Sequence, residues 1–129
     1  AQCAPAAQTE APAKSYKLAA IFPGVITDAD YNTLAYVGVS ELKEKKGVET
    51  AYSESVAVPD VDRVMREYID AGYNIIWTHG GQFVNQTVEI APQFPDVVFI
   101  AEGEMTPTVS GTLMIVAPAS AAVRKTSIR

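Results

Sequence analysis

One cysteine, one histidine and one tryptophan stand among 129 residues. A lone Cys3 allows no intrachain disulfide and no thiolate cluster for a metal. His79 as a metal ligand would need partners at His, Cys or carboxylate spacing, which the sequence does not supply; a single histidine at a strand end more often makes a structural or ligand hydrogen bond. Long apolar runs are missing as well. None approaches the roughly 20 residues that span a bilayer, so neither a transmembrane helix nor a full signal peptide is expected in these residues. Positive charge is sparse: ten Lys and Arg against fifteen Asp and Glu give a net charge of −5 and a pI near 4.8. That balance excludes the basic stripe of a nucleic-acid surface. No G-x-G-x-x-G follows a strand, and no G-x-x-x-x-G-K-[ST] occurs. No serine or cysteine sits in a recognisable nucleophile elbow, and the third strand ends in Thr78-His79 where a phosphorylated receiver would carry a bare aspartate. These absences count against enzyme and signalling readings together.

What is present is a globular composition, 48% apolar and 19% charged, in a length that suits one domain with a real core. The stretch YKLAAIFPGVITDADYN, residues 16–32, organises the rest. Leu18, Ala19, Ala20, Ile21 and Phe22 are apolar on both faces, the pattern of a strand inside a covered parallel sheet. Pro23-Gly24 stops that strand. A helix is expected over residues 30–46, its apolar stripe formed by Tyr31, Ala35, Gly38 and Leu42 and widened by Leu34 and Val37. Lys43, Lys45 and Lys46 suit its last turn and Gly47 its C′ position. Residues 48–52 read as a second strand. Asp60 can cap a second helix whose buried stripe is Val61, Val64, Met65, Tyr68 and Ile69, closed by Gly72. NIIWT, residues 74–78, is a third strand, residues 82–91 a third helix, and VVFIA, residues 97–101, a fourth strand ending in Glu102-Gly103-Glu104. Residues 112–116 could add a fifth.

This alternation predicts an α/β fold, a parallel sheet with helices on both faces. Right-handed crossovers align the strand carboxyl ends along one edge, where open α/β sheets place their ligands. Two loops on that edge are rich in polar and aromatic groups: residues 23–32 and residues 79–85. Tyr31 and Phe83 offer faces for stacking, although both rings could instead lie in the cores of their helices. Asp28 can accept hydrogen bonds, while Asn32, Gln82 and Asn85 can donate and accept. Asp28 or Asp30 could equally cap the first helix. The backbone N–H groups of Gly80 and Gly81 allow close approach to a ligand. The set suits reversible recognition of a flat, polar solute, with no catalytic group and no cofactor.

The same residues carry a family resemblance. KLAAIFPGVITDADYNTLAYVGVSEL resembles the opening of the basic membrane lipoprotein family, the purine-nucleoside receptor-like solute-binding proteins of bacterial ABC importers; the motif D-x-x-[FWY]-N reads here Asp28-Ala29-Asp30-Tyr31-Asn32. REYIDAGYNIIWTHGGQF is similar to that family's helix, turn, apolar strand and glycine loop, and IAPQFPDVVFIAEGE to its A-x-x-[FY]-P-D-V-x-F segment. The ordered set covers residues 17–104. The resemblance implies one flavodoxin-like lobe of a type I periplasmic binding protein, apparently truncated after Glu104, where the family continues into a second lobe. It puts a stacking aromatic at Tyr31, a carboxylate at Asp28, an amide at Asn32, and a ligand-contacting glycine loop at Gly80, Gly81, Gln82 and Phe83. Pro23, His79 and Asn85 complete the expected ligand-binding set. Asn85 stands where an aspartate is often found, which leaves a purine base or another solute open beside a nucleoside.

Cys3 followed by the Ala- and Pro-rich APAAQTEAPAKS reads as the start of a mature lipoprotein on a tether over residues 1–15, although a cysteine in an unstructured end is the other reading. The expected partners are therefore a small solute, an ABC permease and, through a lipid anchor, a membrane, in an extracytoplasmic location; no nucleic acid is expected. Residues 105–129 are read as a hinge-like strand and an atypical tail. Two other readings remain open at this stage: a single-domain flavodoxin-like enzyme or signalling module, and a receptor fragment that self-associates through unpaired sheet edges.

Overall fold

The computed structural model describes residues 15–103, 108–110 and 113–116. Cys3, nearly all of the expected tether and most of residues 105–129 fall outside the described residues. Six strands among the described residues form one sheet: β1 (Lys17–Ile21), β2 (Glu49–Ser53), β3 (Ile75–Thr78), β4 (Val98–Glu102), β5 (Thr108–Ser110) and β6 (Leu113–Val116). Among the described residues three helices accompany them: α1 (Tyr31–Lys46), α2 (Val61–Asp70) and α3 (Val84–Ile90). Short 3-10 turns precede α2 and flank α3 on both sides.

The sheet order is β2-β1-β3-β4-β6-β5. Every pairing is parallel except that of the edge strand β5, which runs antiparallel to β6. β1 is therefore interior, with Leu18 opposite both Thr50 and Ile75. At its amino end Lys17 and Asn74 are bound twice: the Lys17 N–H donates to Asn74 Oδ1 (2.8 Å), and the Asn74 N–H to the Lys17 carbonyl (3.1 Å). The apolar run from Leu18 to Phe22 is thus buried on both faces, as its composition requires.

Successive β1 side chains enter two different cores. Leu18, Ala20 and Phe22 pack with Ala35 and Val39 of α1, joined by Ile75 and Trp77. Ala19 and Ile21 pack with Val61, Val64 and Met65 of α2, with Phe83 and Ile90, and with Ile76, Phe99 and Ala101 of the neighbouring strands. One helix covers the first face and two cover the second. On the thinner side Trp77 and Ile100 are only half-buried and Met114 is exposed.

Helix α2 presents the stripe its sequence predicts, burying Val61, Val64 and Met65, with Tyr68 and Ile69 packed on the same core. α1 does not. It buries Asn32, Ala35 and Val39 and turns Tyr31, Leu34, Val37 and Gly38 outward, Leu34 to 71% exposure. The expected stripe is corrected by packing: apolar residues are spread around this helix, and the face with small side chains seats closest on Leu18 and Ala20. Gly47 closes α1 in the left-handed region (φ 67°), its N–H returning to the Leu42 carbonyl. The antiparallel β5, short and polar, was not anticipated.

Candidate functional site

The chain leaves β1 toward β2 on one side and leaves β3 toward β4 on the other. Such a reversal of strand order opens a crevice beyond the strand carboxyl ends. The loop after β1 and the loop after β3 meet there, and the end of β4 adjoins them.

The meeting point is an aromatic stack over a buried carboxylate. The Tyr31 ring lies on the His79 imidazole, centroids 4.0 Å apart and planes inclined by 25°. Phe22 and Trp77 meet the same imidazole edge-on, at 5.6 and 5.4 Å. Below it, Glu102 collects three donors. His79 Nδ1 is 2.5 Å from Oε2, Trp77 Nε1–H donates to that oxygen at 3.1 Å, and the Tyr31 hydroxyl donates to Oε1 at 3.4 Å. A carboxylate only accepts, so Nδ1 carries the hydrogen of its bond. His79 Nε2 is 3.2 Å from the Tyr31 carbonyl, another group that only accepts. His79 and Glu102 are 5% and 7% exposed. Burial, the negative charge of Glu102 and the hydrogen bond to it push the Tyr31 phenol up to about 12. Tyr31 therefore stays a donor throughout the physiological range.

Asp28 has a different task. Oδ1 accepts from the Asp30 and Thr33 N–H groups, and Oδ2 from the Asn32 N–H and side-chain amide, while the Thr33 hydroxyl gives its one hydrogen to the closer Ile26 carbonyl (2.6 Å). Four N–H donors fill the roughly four lone-pair positions of a carboxylate. The Asp30 N–H above all, with the Asn32 N–H, the Asn32 amide and the Thr33 N–H, holds its pKa well below the usual carboxylate range, together outweighing an opposing effect of desolvation. Asp28, two positions ahead of Asp30, thus caps α1; Asp30 makes no side-chain capping bond. The arrangement also orients Asn32, since its NH2 must face Asp28. The opposite end, Oδ1, is buried without a partner among the described residues, on a side chain only 7% exposed.

The remaining expected residues divide. Pro23 and Gly80 lie side by side: a Cβ placed on Gly80 would stand 3.5 Å from Pro23 Cγ and 2.4 Å from Gln82 Oε1. Gly80 has φ 118° and ψ 135°, a conformation that residues with a side chain rarely adopt. Gly81 sits against the Glu102 carbonyl (3.8 Å from an added Cβ). Gln82 is exposed, as is Asn85 in the first turn of α3. Phe83 is corrected: it is fully buried in the core with Ile21, Ile76 and Phe99, so its ring faces no solute. Two buried threonines brace the base of this loop. Thr87 Oγ1 donates to the Phe83 carbonyl (2.8 Å) and lies 2.8 Å from Thr78 Oγ1.

Sequence reasoning passed over Glu102 and Trp77. The available signal was positional: Glu102 is the first charged residue after an apolar strand, on the edge where the two chosen loops also end.

The His79–Glu102 pair has the outline of a base and its orienting carboxylate, but Nε2 faces the Tyr31 carbonyl and the ring is covered by Tyr31. No nucleophile is placed against it among the described residues.

Residues 15–103 match the family model described as "Bmp: ABC transporter substrate-binding protein PnrA-like". A comparison with curated proteins gave no match. Among solved structures, the fold resembles an ABC transporter solute-binding protein from Conexibacter woesei DSM 14684 (TM-score 0.66, 22% identity), over 76% of this chain and 33% of that one. It resembles likewise a solute-binding protein from Aeropyrum pernix K1 (TM-score 0.67, 18% identity), over 76% of this chain and 27% of that one. A fragment of a proposed lipoprotein from Peptoclostridium difficile 630 matches over 88% of this chain and 99% of its own length (TM-score 0.67, 12% identity). At these identities the likenesses establish the fold. The chain thus spans about a third of the length of the first relative.

Proposed function

Because this chain belongs to the PnrA-like family of ABC transporter substrate-binding proteins, we propose that it supplies one ligand-binding lobe of a non-enzymatic solute receptor. The ligand class is a purine nucleoside, a purine base or a related flat, polar solute. The observation that carries this reading is Tyr31. Its ring is held parallel to His79 on one side and is 43% exposed, at the crevice where β1 and β3 part. A planar heterocycle laid on the open side would extend the stack. The unpartnered Asn32 Oδ1 supports a ligand that presents an N–H or O–H, because a buried acceptor without a partner is costly until one arrives. Pro23, Gly80, Gly81, Gln82 and Asn85 complete the proposed contact set, and Asp28 shapes it by fixing α1 and Asn32.

In this reading the partners are an ABC permease and a membrane, the latter reached through an acyl chain on Cys3, and the location is extracytoplasmic. The resemblance of the fold to a proposed lipoprotein supports the anchor.

The test uses weak-binding NMR, since a single lobe encloses a solute incompletely. Adenosine, adenine and ribose are titrated into the protein while the signals of its one histidine and one tryptophan are followed. Saturable shifts at His79 and Trp77 with adenosine or adenine, and none with ribose, are expected. The absence of rim shifts with all three at millimolar concentration overturns the assignment.

A further inference from the structure

Side chains from two segments converge on the carboxylate of a third, and neither the family match nor the proposed contact set accounts for it. Glu102 is almost fully buried and takes hydrogen bonds from side chains on two other segments. Tyr31 comes from the start of α1, Trp77 and His79 from the end of β3, and Glu102 itself from the end of β4. Removing a carboxylate from water is costly unless its oxygens are well satisfied. An apolar residue of similar size would serve the core alone at least as well.

We propose that Glu102 is the positioning residue of this rim, a tie that seats the Tyr31 ring on His79 before any ligand arrives. The geometry supports this in two ways. Oε1 holds only the Tyr31 hydroxyl, a bond that serves no packing purpose in a side chain 43% exposed. Oε2 holds Trp77 and His79, the two groups that fix the height and tilt of the surface on which Tyr31 rests. Without the tie, Tyr31 is free to leave the stack, and its ordering then falls on the binding step. Ordering one side chain on binding weakens affinity by about three- to tenfold.

The inference rests on the receptor reading for its purpose, but its test does not. In the ligand-free protein, the stacked Tyr31 ring shifts the carbon-bound protons of the single His79 upfield, and Tyr31→Ala sets the unstacked reference. Glu102→Leu removes both acceptor oxygens, and with them all three hydrogen bonds, and is expected to move the His79 signals toward that reference. Glu102→Gln keeps a carbonyl for Trp77 and His79 and can meet the Tyr31 hydroxyl with its amide, so it is expected to restore most of the shift. Tyr31→Phe deletes only the hydroxyl. It guards against misfolding of the leucine variant and is expected to move the signals part of the way. Wild-type His79 shifts in a folded Glu102→Leu protein overturn the proposal. If that variant does not fold, wild-type shifts in Tyr31→Phe do so. Adenosine affinity, measured in parallel, is expected to fall about three- to tenfold in Glu102→Leu relative to wild type. Failure of the wild type itself to bind adenosine refutes the ligand assignment while the ring-shift result still decides the role of Glu102.

Discussion

The buried pair Thr78–Thr87 allows a sharp test of how the loop after β3 is supported. Both residues are 0% exposed. The Thr87 hydroxyl gives its hydrogen to the Phe83 carbonyl at 2.8 Å, so its oxygen is left to accept the Thr78 hydroxyl at 2.8 Å. The alternative acceptor for Thr78, the Ile100 carbonyl, is 3.5 Å away, at the limit of a useful bond. Valine at either position keeps the shape and deletes the hydroxyl. Thr87→Val removes the only close partner of a fully buried hydroxyl and should cost about 1–3 kcal/mol. Thr78→Val leaves Thr87 still donating to Phe83 and should cost no more than about 1 kcal/mol. The double variant contains no orphan, so it should be more stable than Thr87→Val alone, by about 1 kcal/mol. Urea denaturation of the four proteins provides the cycle, with m-values checked for constancy. Losses that simply add, with the double variant the least stable, would refute the donor order assigned here.

The remaining predictions concern the rim and the orientation of α1. Gly80→Ala places a side chain at φ 118°, which should destabilise by about 1–3 kcal/mol in the same urea assay. Folding raises the Tyr31 phenol from 10.0 to about 12; its contribution to stability is complete below pH 10 and is lost as pH rises toward 12. The stability difference between wild type and Tyr31→Phe should therefore shrink across that window, and a constant difference would count against the Glu102 contact. Leu34→Ser, at a position 71% exposed, should change stability by no more than about 0.5 kcal/mol. Val39→Ala, at 1% exposure, should cost about 1–3 kcal/mol, and the reverse ranking would restore the stripe expected from sequence.

Local signals made much of this fold legible. A run apolar on both faces can only be an interior strand, and β1 is one. α2 was readable because its apolar positions repeat at helical spacing and nowhere else on its surface. α1 was not, because Leu34, Val37 and Leu42 point in different directions, and the face that docks is chosen by the small Ala35 and the polar Asn32. That choice depends on what Leu18 and Ala20 leave room for, a tertiary fact. β5 escaped notice for a related reason: three residues carry too little periodicity to mark a strand. At the site, the loops after β1 and β3 were identifiable as turns rich in polar groups at the ends of apolar strands. Which aromatic lies on the rim was not, since Tyr31 and Phe83 occupy similar positions in sequence and differ only in which sheet face their helix covers. Glu102 matters through partners 25 and 71 residues away, a separation no local pattern reports.

The interior place of β1 has a consequence for synthesis. Its partner on one side, β3, begins beyond Asn74, 57 residues downstream of Lys17. At a translation rate of about 5–20 residues per second, the ribosome takes on the order of 3–11 s to make that interval. For that time the most water-averse segment of the chain has at most β2 beside it, one flank of its backbone still unpaired. The nascent chain is thus most open to chaperone capture, or to a wrong strand, before its second half-sheet exists.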